Sequence, residues 1–251
     1  MRGQNYSDPI DLGALLHLDD ELVVGAEALT ELLREQLTEE RRAKIEEVLD
    51  NRTLTVIPVM DGIHDLGNAA AVLRSAEGMG YQEAHIIDTQ TEYKRSKRVT
   101  QGADKWVDVH RWDSPKRCVQ SLQARGYEVV ATDLDADVEL SEIDFTSPTA
   151  LVFGNERDGV SDEVLGACDR RCIIPIQGFV QSYNISVAAA LSLYEALRQR
   201  QQRRGTQGDL TADERRVLRA HYYLRSVNRP HRLVPNLWRR RMAVKDEDET
   251  R

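Results

Sequence analysis

The sequence predicts an α/β fold built on a mostly parallel sheet flanked by helices. Three observations predict it. Short β-branched runs recur through the middle of the chain, segments of helical periodicity stand between several of them, and the runs carry few polar residues, as strands buried on both faces do. With 251 residues, 41% of them hydrophobic, the chain can bury one sizeable core and still carry appendages.

In chain order, residues 27–50 set Leu29, Leu32, Leu33, Leu37, Ile45, Val48 and Leu49 at helical spacings, which predicts a helix. Strands are expected at 54–60, 84–88, 107–112, 128–133, 149–154 and 171–176, with helices at 67–79, 114–124 and 161–167 between them. A long helix over 184–202 follows the last strand, and GTQG at 205–208 makes a turn. Thr211 opens TADE, a capping box for a basic helix that runs to Arg225. The organisation is then a helical N-terminal extension over 1–52, a central α/β domain over 53–204, a basic helical C-terminal extension over 205–242 and a disordered acidic tail over 243–251.

Several function classes fall away. No apolar run approaches the roughly 20 residues that span a bilayer, and the first residues lack a basic-then-apolar signal pattern. Three cysteines, Cys118, Cys168 and Cys172, make no disulfide framework and no metal-binding spacing, which fits a reducing cytoplasm. No GxGxxG and no P-loop is present, so a nicotinamide enzyme or an NTPase has little support. The net charge of −8 argues against nucleic acid only on average, because residues 195–241 hold thirteen arginines, no lysine and four acids. Arginine favours planar, bidentate contact with phosphate, and a local field steers polyanions whatever the total charge. A solvated helix face laced with ion pairs explains the same run.

Ligands of a parallel sheet gather beyond the carboxyl ends of its strands, and three segments stand there. The first, DGIHDLGNAAAVLRSAEGMG, leads into a helix of small residues with Asn68 as its N-cap; Arg74 alone reads as a surface ion-pair residue. The second, LVFGNERDGVSDEV, ends a strand in Gly154, Asn155 and Glu156. A strand–turn–helix needs only Gly159 and Ser161; bare backbone at Gly154 suggests close approach to a ligand. The third, IIPIQGFVQSYNISVAAA, passes from a strand through a loop into an Ala-rich helix, with Ser182 and Asn184 at turn and cap positions.

In order and spacing these segments resemble the signature motifs of the SpoU/TrmH branch of the SPOUT methyltransferases: Asn68 with Arg74 six residues on, Gly154-Asn155-Glu156, then Ile174-Pro175, Gly178 and Ser182-Tyr183-Asn184. The resemblance covers about residues 54–200, and QGADKWVDV also resembles the TrmH type. Tyr183 departs from the usual Leu between Ser and Asn.

The resemblance implies a SPOUT trefoil knot in the sheet domain, a homodimer packed through the Ala188–Ala190 face, S-adenosyl-L-methionine as cofactor without metal, and 2′-O-methylation of a ribose in structured RNA. It implies that Thr132, Gly154, Ile174, Ile176 and Tyr183 line the cofactor. It makes Arg74 the central catalytic residue, with Asn68, Glu156, Ser182 and Asn184 around it. The short N-terminal lead, GFVQS and the basic extension look most like the tRNA enzymes acting on guanosine 18. A ribosomal-RNA ribose methyltransferase is the alternative, and a non-catalytic RNA-binding protein on this fold a further one. Lys94, Arg95, Lys97, Arg98, Arg215, Arg216 and Arg219 are the expected tRNA contacts.

Overall fold

The computed structural model describes residues 15–17, 23–63, 65–88, 105–155 and 157–249, with side chains for 23–63, 65–88, 105–155 and 157–243. It divides into two compact units, one formed by residues 51–209 and the other by residues 1–50 together with 210–251.

The larger unit holds a six-stranded sheet. Its strands are β3 (Val56–Asp61), β4 (Glu83–Ile87), β5 (Asp108–Trp112), β6 (Glu128–Thr132), β7 (Thr149–Phe153) and β8 (Arg170–Cys172), in the order β5-β4-β3-β7-β6-β8. Every ladder is parallel, as the near-continuous apolar runs predict. The last strand ends at Cys172, four residues before its expected end; Pro175 lacks the N–H a longer ladder would need.

Helices cover both faces. Against one pack α3 (Leu66–Gly78) and α6 (Ile185–Arg204), through Ala69, Val72, Leu73 and Ala76 on the first and Ile185, Ala189, Leu193 and Ala196 on the second. The other face is covered by α4 (Pro115–Ala124) and the short α5 (Asp162–Leu165), which bring Cys118, Val119, Leu122 and Val164 to Ile57, Val59, Val129 and Val152. The α3 N-cap is Asp65, whose carboxylate accepts from the Gly67 N–H at 2.7 Å. Asn68, expected as the cap, therefore lies inside the first turn, because an acid three residues earlier captures the free amide.

The smaller unit joins a short antiparallel pair, β1 (Leu15–His17) and β2 (Val23–Gly25), to α1 (Ala26–Arg34), α2 (Glu39–Asp50), α7 (Ala212–Ser226) and α8 (Pro230–Glu249). The helix expected over 27–50 is thus two helices. Thr38 breaks it, its hydroxyl accepting from the Arg41 N–H at 3.2 Å, a local bond that competes with continuous helix. The capping box at α7 forms as predicted, Thr211 and Glu214 exchanging bonds. Where disorder was expected over 243–251, helix continues to Glu249. A nucleated helix extends at the cost of one residue per bond, and Ala, Lys and Glu are good formers.

Candidate active site

A cavity of about 390 Å³ opens at the carboxyl ends of β6, β7 and β8. Thr132, Gly154, Ile174, Ile176 and Tyr183, the five residues expected around a cofactor, all line it, and so does Ser182. Local chemistry explains how each is presented. The Thr132 hydroxyl donates to the Val152 carbonyl at 3.0 Å, so its side chain is committed to the neighbouring strand. Tyr183 closes its loop by donating to the Pro175 carbonyl at 3.4 Å. Cys172, also on the wall, has its thiol pushed up to about 12 by burial and is protonated at neutral pH.

The turn after β7 is folded by Asn155, which sequence reasoning left without a role. Its side-chain oxygen accepts from the Arg157 and Asp158 amides at 2.9 and 2.7 Å, an Asx arrangement. Its backbone exchanges two bonds with Gly159, which sits at φ +71°. This fold-back accounts for Gly154. A Cβ there would lie 1.9 Å from the Gly159 carbonyl carbon and 2.0 Å from the Val160 nitrogen. Glycine is therefore required by the chain's own backbone, a reason additional to the ligand approach expected from the sequence. Buried Asp61, at the end of β3, anchors the far side of the turn by accepting from the Ser161 N–H at 2.8 Å.

Of the residues expected to be catalytic, the fold joins Asn68 and Asn184: the Asn184 amide donates to Asn68 Oδ1 at 3.3 Å. Asn184 is also the N-cap of α6, accepting from the Ser186 N–H at 2.9 Å. Arg74 lies on the exposed face of α3 beside Ala71 and Gly78, outside the cavity wall. Glu156 lies outside the described residues, as do Lys94, Arg95, Lys97 and Arg98.

Two other expected surfaces can be located on the structure. Ala189 is fully buried in the core and Ala188 and Ala190 are half-buried, so the 188–190 segment is not the most exposed part of the outward face of α6. That face carries Val187, Leu191 and Tyr194, at spacings of four and three that align on one stripe. Arg215 and Arg219 both pair with Glu46, Arg215 also with Asp50, and Arg216 with Glu27 and Asp213. The Arg219 bond, followed by that of Arg215, holds the Glu46 carboxyl below its usual range against the opposing effect of burial. These three α7 arginines are met by Glu27, Glu46 and Asp50 of α1 and α2, and by Asp213 of α7 itself.

Among the described residues, one grouping has metal-ligand chemistry: Glu83, His85 and His110. Its ligand atoms are committed. Arg125 forks onto both Glu83 oxygens. The Trp112 indole N–H donates to His85 Nδ1 at 2.9 Å, and since indole only donates, the His85 proton resides on Nε2 and is given to Glu83 at 2.6 Å. Burial opposes the Glu83 charge, but Arg125 and the two histidines hold its pKa at about 2. Burial depresses His110 to about 4 against the pull of Glu83. The cluster is an ion pair between buried Glu83 and half-exposed Arg125, backed by hydrogen-bonded His85 and by His110.

Comparison with known proteins agrees with this geometry. Residues 55–194 match the family model described as the SpoU rRNA Methylase family. A curated tRNA (guanosine(18)-2′-O)-methyltransferase of Borreliella burgdorferi is 34% identical over 207 residues, covering 82% of this chain and 94% of that protein. The crystal structure of the A. aeolicus TrmH/SpoU tRNA modifying enzyme superposes with a TM-score of 0.68 at 31% identity, covering 76% of this chain and 98% of that one. The SpoU methyltransferase AviRb from Streptomyces viridochromogenes, solved in complex with the cofactor AdoMet, gives 0.55 at 28% identity over 62% of this chain and 64% of that one.

Proposed function

The chain belongs to the SpoU rRNA Methylase family, and from that premise we propose that it transfers a methyl group from S-adenosylmethionine to the ribose 2′-hydroxyl of guanosine 18 in tRNA. The observation that carries the reading is the strand-end cavity, walled by Thr132, Gly154, Ile174, Ile176, Ser182 and Tyr183, in a chain similar along almost the whole length of a guanosine-18 enzyme.

The cavity's chemistry fits the cofactor. Its volume of about 390 Å³ falls in the range of about 300 to 1,000 Å³ that takes ligands of this size. Leu134, Ile174, Ile176 and Tyr183 offer apolar walls for a flat purine, and Asp135 and Asp158 offer carboxylates to a cationic ligand. When bound, S-adenosylmethionine supplies an electrophilic methyl group on a sulfonium.

The chain's own residues must then manage a poor nucleophile. A ribose hydroxyl is scarcely ionised at neutral pH, so charge developing on its oxygen needs a preorganised cation. Arg74 fills that role as a permanent guanidinium, binding the oxygen and an adjacent RNA phosphate. With the methyl donor bound, the oxygen would take the methyl carbon as the carbon–sulfur bond breaks, and the hydroxyl proton would leave to that phosphate or to water. Joined Asn68 and Asn184 orient the ribose, Ser182 completes the hydrogen-bonding shell, and Glu156 balances the charge. Lys94, Arg95, Lys97 and Arg98 belong to the proposed tRNA contacts.

A homodimer is part of this reading, supported by the exposed Val187–Leu191–Tyr194 stripe. The trefoil knot is carried by family membership. A cytoplasmic location is supported by three free cysteines and by the absence, among the described residues, of any helix long and apolar enough to cross a membrane. The test is methyl transfer from labelled S-adenosylmethionine to a tRNA transcript and to the same tRNA carrying 2′-deoxyguanosine at position 18. Transfer to the first and none to the second is expected; equal labelling of both overturns the assignment.

A further inference from the structure

The arginines of the C-terminal extension divide into two sets that the sequence does not distinguish. On α7, Arg215, Arg216 and Arg219 are engaged by Glu46, Asp50, Glu27 and Asp213. On α8 the helix is sided. Val234 is fully buried, Leu237 and Trp238 are half-buried, and Arg241 pairs with Glu31 of α1 at 2.8 Å; these four share the face turned to α1. The opposite face carries Arg232, Asn236, Arg239 and Arg240, all exposed. At 100° per residue they fall within an arc of about 100°. Exposed Arg229 stands just before the helix. Among the described residues none of these four arginines has a carboxylate partner.

That arrangement is unfavourable for an isolated fold. Arg232 sits in the first turn of α8, which contains no acid, although the positive end of a helix dipole favours acids there. Guanidinia gathered on one solvent face without counter-charge repel each other until a polyanion meets them. The spacing along the helix, about 1.5 Å per residue, spreads the row from Arg232 to Arg240 over roughly 12 Å. That length matches two or three successive phosphates.

We propose that the outward face of α8, formed by Arg229, Arg232, Asn236, Arg239 and Arg240, binds the phosphate backbone of the RNA, whereas the α7 arginines fasten the two terminal extensions to each other. The inference rests on the RNA reading above and moves the expected contact from α7 to α8. Asn236, between the arginines, offers an amide donor to the same oxygens.

The test compares two variants of the full chain with wild type: R232Q/R239Q/R240Q on α8, and R215Q/R219Q on α7. Affinity for a tRNA transcript is measured at several salt concentrations, with thermal midpoint and S-adenosylmethionine affinity in parallel. The α8 variant is expected to lose about tenfold or more in tRNA affinity and about two to three units of salt slope, with unchanged midpoint and cofactor affinity. The α7 variant is expected to melt lower and keep the wild-type slope. An unchanged slope in the α8 variant, or a folded α7 variant with a slope just as flattened, overturns the division. Wild-type protein that binds S-adenosylmethionine but no tRNA at any salt overturns the RNA reading itself, and is told apart from the first outcome by the wild-type curve.

Discussion

Asn184 performs two tasks with one side chain: its oxygen caps α6 while its amide reaches Asn68, 116 positions earlier, at 3.3 Å. The cap sets where α6 begins; the bridge ties that start to the first turn of α3. The two tasks can be separated. Asn184→Ser should keep a capping oxygen and cost little stability, whereas Asn184→Ala should lose about 1 kcal/mol. Both should slow methyl transfer, by about tenfold for one lost hydrogen bond of roughly 1.4 kcal/mol. Melting curves and single-turnover rates measure the two effects, and a Ser variant of full activity would make the Asn68 contact structural only.

Arg74 gives a sharper test of catalysis. Arg74→Ala should reduce methyl transfer by at least about 100-fold, the scale of removing one preorganised donor, with S-adenosylmethionine affinity nearly kept because Arg74 lies outside the cavity wall. Arg74→Lys should rescue poorly, lacking the planar fork. Near-normal single-turnover rates in the Ala variant would return Arg74 to an ordinary surface role.

At the β7 turn, Gly154→Ala places a methyl within 2.1 Å of three backbone atoms of Gly159 and Val160. Backbone cannot step aside as a flexible side chain does, so the turn must open, at a cost of about 1 to 3 kcal/mol. Calorimetry should show weakened S-adenosylmethionine binding before any loss of global fold. Wild-type affinity in this variant would mean that the turn does not shape the cavity.

The outward stripe of α6 tests assembly. Leu191→Arg with Tyr194→Arg should yield monomers at micromolar concentration that retain the wild-type fold. A charge at Ala189, by contrast, should unfold the chain, since that side chain is fully buried. Sedimentation together with circular dichroism distinguishes the two, and a monomeric wild type contradicts the dimer.

Stability should fall on the acid side in two steps. His110 is held near 4, below its ordinary value of 6.5, so the unfolded chain binds its proton first and stability drops as pH falls from 6.5 towards 4. Glu83 is held near 2 against an ordinary 4.5, so its contribution is present above 4.5 and is lost between there and 2. His110→Gln should flatten the first step of a plot of thermal midpoint against pH. Arg125→Met, which removes the charged partner of buried Glu83 but leaves the His85 hydrogen bond, should cost about 1 to 3 kcal/mol at neutral pH. An unchanged pH profile in His110→Gln would remove that histidine from the network's acid response.

The parallel α/β class, the three strand-mouth segments and the capping box at Thr211 were legible in the sequence, because periodicity and capping are local properties of a chain, whereas the five residues that line the cavity were named through the family resemblance. Tertiary structure decided what depends on partners far away in sequence. Asp65 rather than Asn68 caps α3 because the turn places its carboxylate on the Gly67 amide. Gly154 answers to Gly159 and Val160, once the Asn155 turn folds back. Ala189 faces inward while Leu191 and Tyr194 face out, a choice that the weakly sided sequence of α6 left open. The same holds for charge: thirteen arginines look alike in the sequence, and only the fold shows that Arg215 and Arg219 meet Glu46 while Arg232, Arg239 and Arg240 face solvent. An ion pair depends on where two charges end up, which is set by the packing of the helices that carry them.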